Sequence, residues 1–152
     1  MAQLKGMYPE IELPKHSTVN VESRALLKKD KVQPPLCIPI GGQPSWGLAG
    51  ASNIESCASD LINLNSRLVI GPGLGHCGMF CYDQAPGSIG AQVLLCNDNT
   101  YQIDPASPYL ASYAMDIIDL CPFNWGANLE QLSGGQEFDT GHYNIVVRGG
   151  NC

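Results

Sequence analysis

Apolar positions in residues 52–65 recur with the period of a helix. Ile54, Cys57, Ala58, Leu61 and Ile62 fall at relative positions 0, 3, 4, 7 and 8, one stripe on one face. Ser52 and Glu55 have capping-box spacing, in which each side chain can satisfy a free backbone N–H of the first turn. The pattern predicts a helix from Ser52 to about Asn65. A second stripe, Leu110, Tyr113, Ala114, Ile117, Ile118 and Cys121, has offsets 0, 3, 4, 7, 8 and 11. This helix starts after Asp104-Pro105 or Ser107-Pro108, since either pair sets a capping side chain before a proline suited to the first turn. Pro122 stops it.

Between the helices two apolar runs flank a Pro86-Gly87 turn in residues 75–97, GHCGMFCYDQAPGSIGAQVLLCN. A hairpin centred on that turn sets Cys77 opposite Cys96, Met79 opposite Leu94 and Cys81 opposite Gln92. Its other face carries Phe80 and Tyr82 against Val93 and Ala91, so both faces are partly apolar and neither is singled out as the core side. The run LCIPI at 36–40 reads as an edge strand or the start of one, because proline cannot donate to a ladder. HYNIVVR at 142–148 is the last strand. Residues 41–50 and 123–135 read as loops, with Trp46 as a core plug in the first.

Strand, helix, strand, strand, helix, strand is the βαββαβ order of the ferredoxin-like split. It predicts an α+β fold: one antiparallel β-sheet with two helices on one face. Residues 1–35 hold no cysteine, no sustained periodicity and Pro9, Pro14, Pro34 and Pro35. They are expected as a flexible leader or propeptide before a domain at 36–152, with Lys28 and Lys29 as a candidate dibasic processing site.

The seven cysteines are Cys37, Cys57, Cys77, Cys81, Cys96, Cys121 and Cys152, with no Cys-x-x-Cys pair. Wide spacing in a small domain reads as a disulfide framework formed in an oxidising compartment. In the split topology Cys57 comes within reach of Cys121, Cys37 of Cys152, and Cys77 of Cys96. Cys81 is then the free thiol or the alternative partner of Cys96.

Charge divides the chain. Residues 1–36 carry six Lys and Arg against four acids, 6 − 4 = +2, and residues 37–152 carry two against ten, 2 − 10 = −8. An acidic folded part repels phosphate backbones and anionic lipid, so nucleic-acid partners are not expected. No run of 18 apolar residues exists, so no membrane span is expected either.

Catalytic constellations are missing from the pattern. His76 and Cys77 are neighbours on a strand and point to opposite faces, while His142 could approach Cys81 but nothing requires it. Asp116 and Asp119, at i and i+3, read as a solvated helix edge, and Asn97-Asp98-Asn99 as a turn rather than a calcium loop. The glycine-rich run 71–75 lacks the Lys-Ser/Thr of a phosphate loop. No catalytic residue, metal or cofactor is expected, and the chain does not read as an enzyme.

The cysteine-bearing first helix IESCASDLINL, the two cysteine-bearing strands, the second helix YLASYAMDIIDLC and the tail GGQEFDTGHYNIVVRGGNC carry a resemblance. Residues 54–152 resemble small cysteine-rich secreted fungal effectors with the killer-toxin-like α/β-sandwich. The resemblance implies a secreted virulence protein, extracellular or apoplastic, with entry into host cells conceivable. Such a protein acts by binding a host plant protein or a companion effector, and an immune receptor can recognise it. Two other readings are a killer-type antimicrobial toxin and a secreted protease inhibitor presenting residues 123–135.

Overall fold

A computed structural model describes residues 30–124 and 131–149. Among these, the chain forms an α+β structure of two helices, a five-stranded antiparallel sheet and a three-stranded one. The larger sheet contains β1 (Lys31–Cys37), β3 (His76–Asp83), β4 (Ala91–Asn97), β7 (Gly135–Asp139) and β8 (Tyr143–Gly149), in the order β1-β7-β8-β4-β3. The smaller one joins β2 (Ala49–Gly50), β6 (Gln131–Ser133) and β5 (Pro122–Asn124).

The helices α1 (Ala51–Leu64) and α2 (Ser107–Leu120) pack on one face of the larger sheet. Both predicted stripes enter the core: Ile54, Cys57, Ala58 and Leu61 from α1, and Leu110, Tyr113, Ala114 and Ile117 from α2, are all essentially inaccessible. They meet Ala91, Val93 and Leu95 of β4 and Ile145 and Val147 of β8. Alternation along β4 and β8 selects that face, because successive side chains point to opposite sides of the pleat.

The N-termini of the helices differ from the sequence expectation, whereas their ends, at Asn65 and before Pro122, agree with it. Helix α1 follows directly from β2 with Gly50 as its N-cap, and no side chain caps it. Ser52 and Glu55 are exposed inside the first turns. The strand feeding the helix sets the start, so the capping box has no free N-terminus to serve. Asn65 ends α1 in the left-handed conformation, at φ 46°. Helix α2 takes Ala106 as N-cap, with Pro108 in its first turn. Ser107 instead stitches the helices together: its N–H donates to Ser66 O at 2.7 Å and its Oγ accepts from Ser66 N at 3.0 Å.

The βαββαβ expectation fails in strand number and order. A ferredoxin-like split keeps the first strand inside the sheet, whereas here β1 is an edge and β7 separates it from β8. The extra strand was not readable because its core-facing residues Glu137 and Asp139 are acidic, while Phe138 points to the other side. Strand β1 also starts at Lys31, inside the segment expected as leader, and includes Pro34 and Pro35. Edge pairing tolerates them, with a register shift between Val32 and Leu36. The segment expected as an exposed inhibitor loop contributes β5 and β6, and residues 125–130 lie outside the described ones. Trp46 is no core plug: it is half-buried, with the Arg148 guanidinium 5.6 Å from its ring centroid.

Candidate functional site

Disulfides fix which surfaces of the molecule can move. Cys77 bonds Cys96 across the β3–β4 hairpin, as adjacent residues of an antiparallel pair. Cys57 bonds Cys81, and Cys37 bonds Cys121. The expected pairs Cys57–Cys121 and Cys37–Cys152 are therefore not formed, and Cys81 is not a free thiol. Two structural facts explain the difference. A bulge between Met79 and Cys81 shifts the register so that Cys81 faces Val93, not Gln92, and turns it toward the helix layer. Cys57, fully buried on α1, points down onto it. Cys121, just past the end of α2, meets the edge strand where Gly135 lies opposite Cys37. A Cβ on Gly135 would stand 2.5 Å from Leu36 O and 3.3 Å from Cys121 Sγ. Cys152, Lys28, Lys29 and His16 lie outside the described residues.

Three disulfides within 152 residues make this a small cysteine-rich protein. Among the described residues no group of three or more His, Cys, Asp or Glu side chains is placed to hold a metal ion. Likewise, none of the described helices is long and apolar enough to cross a membrane.

The segment around Asn97, Asp98 and Asn99 is a buried amide network. Asn97 Nδ2 donates to Gly71 O at 3.0 Å and Tyr101 O at 2.8 Å. Its Oδ1 accepts from the N–H of Asn99 at 2.9 Å and from Asn99 Nδ2 at 3.0 Å. Asn99 Nδ2 also donates to Gly141 O at 2.8 Å and His142 O at 3.2 Å. Asp98 accepts from the N–H of Gly75 at 2.8 Å and from Asn144 Nδ2 at 3.3 Å. Loop 71–75, loop 97–101 and the β7–β8 turn are thereby tied into one end of the molecule. On it stand Leu74, 86% exposed, and Tyr101, 60% exposed. His76 and His142 belong to this end as structural residues. His76 Nδ1 lies 3.3 Å from Pro72 O, and His142 occupies the turn at φ 61°.

The second polar assembly is the one that sequence reasoning missed. It lies between α2, β1 and β7. Lys31 Nζ donates to Asp116 Oδ2 at 2.7 Å, and the Lys31 side chain is 1% exposed. The ammonium also sits 4.6 Å from the ring centroid of Tyr113 and 5.9 Å from that of Tyr109. Gln33 Nε2 donates to both Asp116 Oδ2 and Glu137 Oε2, at 3.2 Å each. Glu137 is fully buried, and its Oε1 has no hydrogen-bond partner among the described residues. Burial, with the Asp116 carboxylate beside it, pushes the Glu137 carboxyl up to about 8 against the opposing pull of Lys31. Tyr109 and Tyr113 pack edge to face, and both donate to Asp139 Oδ2, Tyr109 at 3.0 Å. Burial raises both phenols well above their ordinary value.

Asp116 was legible as one of two helix acids, but its counter-charge lies 85 residues away. Asp119 is exposed one turn on and takes no part in that ion pair. This assembly has the ingredients of acid–base chemistry and no opening to substrate at its centre, because Glu137 is inaccessible.

No protein-family model, curated protein or solved structure matches the chain.

Proposed function

We propose that this chain is a secreted protein that acts by binding another protein, and that the end bearing Leu74 and Tyr101 is its contact surface. The carrying observation is the contrast at that end: two large exposed side chains stand on loops immobilised by the buried Asn97 and Asn99 amides. A preordered loop loses little entropy on binding, and a tyrosine is a frequent anchor at the centre of interfaces. Secretion is supported by the disulfides, which persist in oxidising compartments. Glu137, the fully buried carboxyl of the assembly between α2, β1 and β7, is closed to a substrate, which supports binding over catalysis.

The finer reading rests on the resemblance to fungal secreted proteins. Two helices on one face of an antiparallel sheet is a plan in keeping with a killer-toxin-like sandwich. On that reading the chain is an effector whose partner is a host plant protein or a companion effector. The test compares the wild type with the Leu74→Ala/Tyr101→Ala double variant in host tissue, after checking that both have the same thermal stability. Loss of the tissue response, and of the same crosslinked partner, in the variant alone supports the proposal. An equal response from both variants overturns the assigned surface. No response from the wild type in any host overturns the effector reading.

A further inference from the structure

The buried ionic assembly has one cation for its carboxyl pair. Lys31 on β1 faces Asp116 on α2, and Glu137 on β7 completes the group. The other titratable groups turned toward it are Tyr109 and Tyr113 of α2, Asp139 of β7, Tyr143 of β8 and Asp30 just before β1. None of these adds a positive charge. While Glu137 keeps its proton, the ammonium balances Asp116 alone. When the proton leaves, a second negative charge appears at an inaccessible site. There Gln33 Nε2, shared with Asp116, donates to Glu137, the hydrogen bond with Asp116 that the protonated form makes becomes a like-charge contact, and Oε1 has no partner among the described residues. An uncompensated buried charge is costly, and the structure relaxes where admitting water is easiest.

That place is β1. It is an edge strand, and residues 33–35 stand opposite the single residue Glu137 in an interrupted ladder. Two of those three residues are prolines, which have no N–H to give. Beyond them the strand is pinned, by the Cys37–Cys121 disulfide and by Ile38 N–H donating to Gly134 O at 3.1 Å. The half before them is held by Lys31 and Gln33, by the pairing of Lys31 and Val32 with β7, and by Thr140 N–H donating to Asp30 O at 2.8 Å.

We infer that the first half of β1 is a pH-gated clamp: it stays docked on α2 and β7 while Glu137 is protonated and lifts away when Glu137 ionises. The raised affinity of Glu137 for its proton sets the gate in the neutral to mildly alkaline range, so the clamp is closed in an acidic medium. This does not depend on the Leu74 and Tyr101 surface.

The test uses the full-length, disulfide-bonded protein. Amide hydrogen exchange is measured between pH 5 and 9 as protection factors, alongside a ¹³C titration of the Glu137 carboxyl. Protection of the Lys31 to Gln33 amides is expected to fall at least about tenfold as Glu137 ionises, with the β4 amides unaffected. Glu137→Gln should abolish the fall. Asp116→Asn should suppress it independently, because Lys31 is then free to neutralise an ionised Glu137. The proposal is overturned if the β1 amides follow the β4 amides at every pH. It is equally overturned if Glu137 ionises without loss of protection, or if either folded variant retains the wild-type fall.

Discussion

Two buried polar networks meet at the β7–β8 turn, and they are built from different chemistry. On one side Asn97 and Asn99 spend their amide groups on backbone groups and on each other, and Asn97 has both ends occupied. On the other side the network runs through Lys31, Asp116 and Glu137 and leaves one carboxyl oxygen with no partner among the described residues. Amides carry no charge at any physiological pH, so the bonds made by Asn97 and Asn99 hold at pH 5 as at pH 8. Carboxyl groups titrate, and burial moves the titration of Glu137 up toward neutral and mildly alkaline pH. The comparison separates a rigid end, suited to presenting a surface, from an edge whose docking depends on a proton.

The largest effect expected from breaking this contrast is at Lys31. Lys31→Met removes the cation from Asp116 and should cost on the order of 3–5 kcal/mol at pH 7, since a mostly buried carboxylate loses its partner. Denaturant unfolding measures it, and a cost under about 1 kcal/mol would show that Asp116 finds water without Lys31. Asn97→Ala comes next. It strips partners from the carbonyls of Gly71 and Tyr101 and from the N–H of Asn99, for about 2–3 kcal/mol after some rehydration. That loss should be the same at pH 5 and pH 8, and a strong pH dependence would erase the distinction between the networks.

The third effect is a difference in slope with pH rather than a loss at one pH. Glu137 has its folded value raised from 4.5 to about 8, so between those values the native state holds a proton that the unfolded chain has released. By linkage, that stabilisation is complete below the unfolded value, declines as pH rises, and is gone above the folded value. Wild-type stability should therefore fall relative to Glu137→Gln between about pH 5 and 8 and run parallel to it above. Urea midpoints for the two proteins across that range measure the slope, and parallel curves throughout would place the ionised form of Glu137 in a site that already tolerates it.

The legible parts of the fold share one property: their core-facing residues are apolar. The stripes of α1 and α2 and the hairpin at Pro86-Gly87 follow that rule. There the N–H of Ser88 donates to Ala85 O at 3.1 Å and Gly87 takes φ 77°. Strands β1 and β7 break it. Their inward residues are Lys31, Glu137 and Asp139, which read as solvated positions until they are seen beside their partners Asp116, Gln33, Tyr109 and Tyr113. The candidate contact surface was hidden for a related reason. Leu74 sits in a glycine-rich loop with no periodicity, and its exposure depends on amide bonds from Asn97 and Asn99 that sequence reading assigned to a turn.

By itself, then, the amino-acid sequence determined the helices, the central hairpin, the acidic balance and the reliance on disulfides, because each depends on local periodicity or on composition. Only the tertiary structure decided which cysteines pair, where β1 lies and that a buried ion pair exists. Cys57 and Cys121 are both buried helix-associated cysteines, and a single-residue bulge near Met79 turns Cys81 toward the first and leaves the second to Cys37. Lys31 and Asp116 are 85 residues apart, and the free energy that justifies burying each exists only once the other is in place.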